Sequence, residues 1–276
     1  MTGDGSLRTK DLAVAYDRRV VVSGLDISIP AGGLTALIGP NGSGKSTMLK
    51  ACARLLPPHR GAALLDGQEI HRMSSRAVAR QLAVLPQSPS APQALTVAEL
   101  VAYGRFPYRN LLGMAGAEDR QAVEQALELT ELRAMKHRPI GELSGGERQR
   151  AFIAMALAQD TDYLLLDEPT ASLDLQHQLE IMDLLRRFRR EHGKTIVVVL
   201  HDLNLAARYA SYLIAIREGR VAKSGTPAAV MTPETLAEVF QIEAEVMKCS
   251  RTGAPICIAH SAIRARRPIG PAGPTP

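Results

Sequence analysis

Nine consecutive residues, Gly39-Pro40-Asn41-Gly42-Ser43-Gly44-Lys45-Ser46-Thr47, have the types and spacing needed to hold a polyphosphate. The glycines let successive backbone N–H groups turn inward around an anion, and a helix starting at the lysine adds partial positive charge at the same point. In such a cradle Lys45 reaches the outer phosphates and the Ser46 hydroxyl ligates Mg²⁺. Asp167 and Glu168 end the apolar run that starts at Tyr163. Asp167 suits Mg²⁺ through its water shell, and Glu168 suits the proton of an attacking water. His201 closes the apolar run Thr195 to Leu200; a neutral imidazole there can hydrogen-bond a terminal phosphate or the attacking water, or simply cap the helix that follows. Gln87 is a polar side chain directly after the run Leu82 to Pro86. Together these residue types describe hydrolysis of a nucleoside triphosphate.

Elements of an α/β fold must position them. Leu34 to Ile38 reads as a buried parallel strand, and Met48 to Leu56 as a helix stopped by Pro57-Pro58, which gives the cradle its strand–loop–helix setting. Tyr163 to Leu166 and Thr195 to Leu200 are strands buried on both faces. Upstream, Leu7 to Ala15 and Val20 to Ile29 alternate as an antiparallel pair around Asp17-Arg18-Arg19. Tyr16 stands at that turn, where a ring suits stacking on an adenine face or plain surface exposure. Ala62 to Asp66 reads as a strand, and Ser74 to Arg80 as a short helix.

From about residue 94 to residue 159 the pattern turns helical, as an inserted subdomain would. Thr96 and Glu99 have capping-box spacing, Ala117 to Thr130 is a helix, and Gly104 to Gly116 between them reads as a loop offering Phe106 and Tyr108. Leu143-Ser144-Gly145-Gly146-Glu147-Arg148-Gln149 opens the next helix, with Ser144 as N-cap and Glu147 answering it. A cap alone does not require the glycine pair, which suits close approach of an anion to the helix tip. Asp174 precedes the helix Gln176 to Glu191, with its stripe of Leu179, Met182, Leu185 and Phe188, and in isolation reads as an N-cap. A helix Leu203 to Tyr209, a hairpin around Glu218-Gly219, a helix opened by Thr232-Pro233 and a last strand pair, Ala244 to Lys248 and Ile256 to Ala259, complete the chain. A Pro/Gly/Arg-rich end follows, expected to be disordered from about residue 265.

The 276 residues suffice for a substantial core, and a net charge of +5, spread along the chain, does not imply nucleic acid. Cys52, Cys249 and Cys257 have no metal-binding spacing, and their odd number argues against a disulfide framework. Cys249 and Cys257 read as two small buried residues on adjacent strands, with a metal or redox site as the alternative. No apolar run is long enough to span a bilayer, and the first ten residues lack a signal-peptide core.

From about Leu7 to Phe240, this ordered set of motifs resembles the ATP-binding subunit of an ABC transporter. The resemblance implies an α/β P-loop NTPase fold with a mixed core sheet, an antiparallel β subdomain and an inserted helical subdomain. Residues 1–241 would form the ATP-binding domain, 242–264 a C-terminal strand extension and 265–276 the tail. It implies ATP and Mg²⁺ as ligands. Gly39, Pro40, Asn41, Gly42, Ser43, Gly44, Lys45, Ser46 and Thr47 would be the Walker A loop, Tyr16 the adenine-stacking aromatic and Gln87 the Q-loop glutamine. Asp167 and Glu168 would be the Walker B pair, and His201 the switch histidine. Metal binding then falls to Ser46, Gln87 and Asp167, and catalysis to Glu168, His201, Gln87 and Lys45.

The resemblance further implies a head-to-tail homodimer, with ATP between the glycine loop of one copy and Ser144, Gly145 and Gly146 of the other. Asp174, the D-loop aspartate, joins the nucleotide-binding set. Leu95 to Pro107 and His201 to Tyr209 are similar to the importer subfamily for ferric siderophores, haem and cobalamin. The expectation is a peripheral ATPase on the cytoplasmic face of the cell membrane. It would drive uptake of an iron chelate through a separate permease served by a substrate-binding protein, with haem or cobalamin as alternative cargo. A soluble ABC ATPase of translation or DNA repair usually carries tandem cassettes, and a kinase or GTPase would not need Leu143 to Gln149.

Overall fold

Alternating residues at the start of the chain fold as β1 (Leu7–Tyr16) and β2 (Arg19–Ile29), paired antiparallel from Leu7 opposite Ile29 to Tyr16 opposite Arg19. The structure, a computed structural model, describes residues 7–17, 19–109 and 116–263. After β3 (Leu34–Ile38) and α1 (Lys45–Cys52), the chain returns in β4 (Arg60–Leu65) and β5 (Gln68–Glu69) to complete a four-stranded antiparallel sheet, ordered β2-β1-β4-β5. β4 begins before the expected Ala62 because pairing with β1 sets its limits, Arg60 lying opposite Ala13 and Leu65 opposite Leu7. α1 ends at Cys52, short of the prolines, because the chain leaves helical geometry at Arg54, whose φ is 61°.

The second sheet positions the chemistry. Its six strands run in the order β10-β9-β3-β8-β7-β6, comprising β6 (Leu82–Leu85), β7 (Tyr163–Asp167), β8 (Thr195–Val199), β9 (Tyr212–Arg217) and β10 (Arg220–Gly225) with β3. All neighbours are parallel except β9 and β10. Every residue of β3, β7 and β8 is buried, as apolar runs covered on both faces require. The two-residue period assigns Ala36, Leu164, Leu166 and Val198 to one core, and Leu37, Leu165, Val197 and Val199 to another shared with β1, β2 and α1. Parallel pairing also brings the C-terminal ends of β3, β6, β7 and β8 to one edge of the sheet, where open α/β sheets bind ligands.

α2 (Ser75–Ala79), capped by Ser74, precedes β6. The helical insert comprises α3 (Val97–Ala102), α4 (Ala117–Leu129) and α5 (Gly145–Ala158), whose Val101, Leu127 and Ile153 join the larger core. The capping boxes Thr96–Glu99 and Ser144–Glu147 form as their spacing predicts. One expected loop is ordered differently: Tyr103–Tyr108 is a 3₁₀ turn, because Arg105 turns inward to pair with Asp119 at 2.9 Å and donates to the Ala158 carbonyl at 2.9 Å. The Tyr108 ring lies 3.9 Å from that guanidinium, whereas Phe106 is 69% exposed.

α6 (Leu175–His192) buries Met182, Leu185 and Phe188, and Leu179 packs half-buried beside them. α7 (Leu203–Tyr209), α8 (Pro227–Val230) and α9 (Pro233–Phe240) lead to the hairpin β11 (Ile242–Lys248) and β12 (Pro255–Ala262). Here the cysteine expectation fails. Cys257 lies opposite Val246, while Cys249 sits past the end of β11, and both are only partly buried. The tail read as disordered, from residue 265, lies outside the described residues. Among the described residues, no helix is long and apolar enough to cross a membrane.

Candidate active site

The glycine loop leaves β3 at Gly39 and enters α1 at Lys45. Gly39 has φ 149°, and a side chain there would run into the Ile216 carbonyl of β9, so the loop crosses the sheet edge where only glycine fits. Gly44, at φ 103°, is the N-cap residue of α1, which aims the helix N-terminus into the loop. The loop forms one wall of a cleft of about 340 Å³. Asn41 to Thr47 line it together with Gln87, Glu168, His201 and Val21. Residues separated by more than a hundred positions are thus gathered at the sheet edge by the parallel register of β6, β7 and β8.

Glu168 is the hub of the opposite wall. Its Oε2 accepts a hydrogen bond from Gln87 Nε2 at 2.6 Å, and its Oε1 lies 2.7 Å from His201 Nε2. Its backbone φ is 53°, a left-handed conformation that directly follows an extended strand and turns the carboxylate into the cleft. Asp167, the last residue of β7, accepts from the Ser46 hydroxyl at 2.7 Å. Lys45 Nζ donates to the Gly39 and Pro40 carbonyls, each at 2.9 Å.

The electrostatics favour a ligand carrying both signs of charge. Burial pulls the Lys45 ammonium below the usual lysine range, against the opposing pull of Glu168 and Asp167. Burial pushes the Asp167 carboxyl above the usual range; the Ser46 hydrogen bond offsets part of that, and the Glu168 charge adds to it. Asp167 Oδ2 and Ser43 Oγ are both buried without a hydrogen-bond partner. An orphaned carboxylate oxygen beside a serine hydroxyl fits a divalent cation, and an orphaned hydroxyl within a glycine loop fits a phosphate oxygen.

Several sequence-predicted residues lie elsewhere. Tyr16, 43% exposed at the end of β1, does not line the cleft, whereas Val21 of β2, which no motif singles out, does. Ser144, Gly145 and Gly146 form the tip of α5, outside the cleft of their own chain. Asp174 caps α6 by accepting the His177 N–H at 2.9 Å. Gly146 has a packing reason that a capping box does not supply, since the His177 ring occupies the space a side chain would need. His177 carries no motif of its own; its only sequence signal is a histidine three residues after an N-cap aspartate.

This strand-edge arrangement of glycine loop, paired carboxylates, glutamine and histidine defines a P-loop hydrolase of nucleoside triphosphates. The ABC transporter family model matches residues 22–171, more than half of the chain, and the chain belongs to that family. It is 52% identical over 259 residues to the iron(3+)-hydroxamate import ATP-binding protein FhuC of Bacillus subtilis, covering 94% of this chain and 96% of that one. Among solved structures it resembles a putative metal-chelate type ABC transporter in an inward-facing conformation, with TM-score 0.81, 25% identity and coverage of 94% of this chain and 98% of that one. It also resembles the dimeric structure of MJ0796, a bacterial ABC transporter cassette, with TM-score 0.71, 30% identity and coverage of 80% and 98%. The chain is therefore an ATP-binding, ATP-hydrolysing subunit with the mixed α/β cassette fold expected from its motifs.

Proposed function

We propose that this ATPase drives import of a ferric siderophore through a separate membrane permease, from the cytoplasmic face of the membrane. One observation carries the catalytic assignment: the Glu168 carboxylate is fixed between Gln87 and His201, on the wall facing the glycine loop. In this reading the loop and Lys45 grip the phosphates, and Ser46, Asp167 and Gln87 hold Mg²⁺, which offsets phosphate charge when bound. Glu168 takes the proton of the attacking water, and His201 holds the carboxylate in place and contacts the terminal phosphate. Two copies enclose ATP head to tail, the α5 tip of one capping the cleft of the other. The position of that tip outside its own cleft, together with the dimeric cassette of similar fold, supports this arrangement. Tyr16 stacks on the adenine beside the cradle, and Asp174 joins the nucleotide site in that dimer. Residues 1–241 serve as the ATP-binding domain, with 242–264 as a C-terminal strand extension.

Glu168→Gln is expected to retain ATP binding and lose roughly 10²–10⁴-fold in turnover, as for removal of a general base; near-normal ATPase activity rejects the assignment. Cargo is tested by co-purifying the permease from native membranes and measuring uptake of ferric hydroxamates, haem and cobalamin. The FhuC likeness supports the first. Transport of haem or cobalamin alone overturns the siderophore reading.

A further inference from the structure

The α5 tip and the turn ending at Asp174 belong to distant parts of the chain, and a single imidazole joins them. His177 lies in the first turn of α6, with Nδ1 2.6 Å from Asp174 Oδ1, the same oxygen that accepts the His177 backbone N–H. The backbone contact alone caps the helix, so the ring contact is additional and fixes the ring's orientation. The other edge of the ring faces the insert. A Cβ on Gly146 would fall on His177 Cδ2 and stand 2.9 Å from Nε2 and 3.1 Å from Cγ.

The two glycines of the tip therefore have different reasons. Gly145 faces open space, with nothing within 4 Å of a Cβ built there, whereas buried Gly146 yields its volume to the ring. The next link between these helices is looser, Arg150 of α5 approaching Glu180 of α6 only to 3.8 Å. α5 packs mainly on α3 and α4 of the insert, so its tip depends on such contacts for its place against the core.

We propose that His177 is a positioning residue, a strut that holds the Ser144–Gly146 tip in register with the Asp174 turn and so presents it to the nucleotide of a second copy. This rests on the shared-site reading above. Hydrogen-bond donors displaced by about 1 Å from a reacting phosphate can lose roughly 10²-fold in rate, so a small packing defect at the tip has a large functional effect. Neither His177 nor the tip lines the cleft of its own chain, so that cradle is expected to keep its affinity.

The test uses the full chain in the Glu168→Gln background, titrating ATP and reading dimer formation by size exclusion. His177→Ala is expected to require at least about tenfold more ATP to dimerise, while the monomer's affinity for a fluorescent ATP analogue stays within about twofold. Melting temperature should remain near that of the parent. A cycle with Gly146→Ala reports the contact itself: the clash in the single Gly146→Ala variant should be partly relieved in the double variant, making the effects non-additive. Equal ATP requirement with and without the ring, equal loss of monomer affinity, or additive effects each overturn the strut alone. A Glu168→Gln protein that stays monomeric with ATP overturns the shared site, and the strut with it.

Discussion

At Asp167 the burial of a single carboxylate works against stability. Burial raises its pKa in the folded state, so the ionised form present at neutral pH is disfavoured there relative to the unfolded chain. The associated stability is complete below the ordinary aspartate range and is lost as pH rises through the raised folded value. Asp167→Asn, with chelator and no nucleotide, is therefore expected to melt at a higher temperature than the parent at pH 7. That advantage should shrink toward acid pH; a difference independent of pH, read by calorimetry, contradicts the electrostatic cause. The same variant should lose Mg²⁺-dependent turnover. Lys45→Ala should weaken ATP binding itself, measurable by calorimetric titration, because its ammonium is held within the loop that forms the cradle. Cys52 has no such role, since burial pushes its thiol up to about 12 and leaves it unreactive.

Among the elements, the 3₁₀ turn at Tyr103–Tyr108 depends most on one polar contact. Arg105 and Asp119 are both buried, and their pair ties the turn to the first turn of α4 and, through Ala158, to the end of α5. Burial pushes Asp119 up, but the Gly116 N–H and the Arg105 guanidinium outweigh it and hold the carboxyl below its usual range. Removing one partner leaves an uncompensated charge, so Asp119→Ala should cost about 3–5 kcal/mol. In a chain of this size that is a fall in melting temperature of roughly 6–20 °C. If scanning calorimetry shows no change, the pair does not hold the insert together. Composition indicates only a loop here, because glycine and proline mark turns, while the inward rotation of an arginine depends on an acid fourteen residues later.

For the molecule as a whole, the decisive prediction concerns sharing. If each site takes its cradle from one copy and its helix tip from the other, Lys45→Ala and Ser144→Arg proteins are each inactive alone. Mixed, they form heterodimers that keep one intact site, and turnover should return to at most about a quarter of the wild-type level. No recovery on mixing, with heterodimers demonstrated by differential tags, would falsify the head-to-tail arrangement. A monomeric site would also leave the α5 tip without a ligand, since it stands outside the cleft of its own chain.

Local chemistry was legible in the amino-acid order. The glycine loop, the strand-ending Asp167–Glu168 pair and the capping boxes at Thr96 and Ser144 are each contained in a few consecutive residues, and short-range sterics and hydrogen bonding dictate their form. The apolar runs of β3, β7 and β8 likewise announced a sheet buried on both faces. Tertiary structure decided what meets what. It placed Glu168 between Gln87 and His201, turned Arg105 inward, separated Cys249 from the ladder and set the His177 ring against Gly146. Those outcomes depend on strand register, helix packing and burial summed over distant segments, and no window of neighbouring residues encodes them.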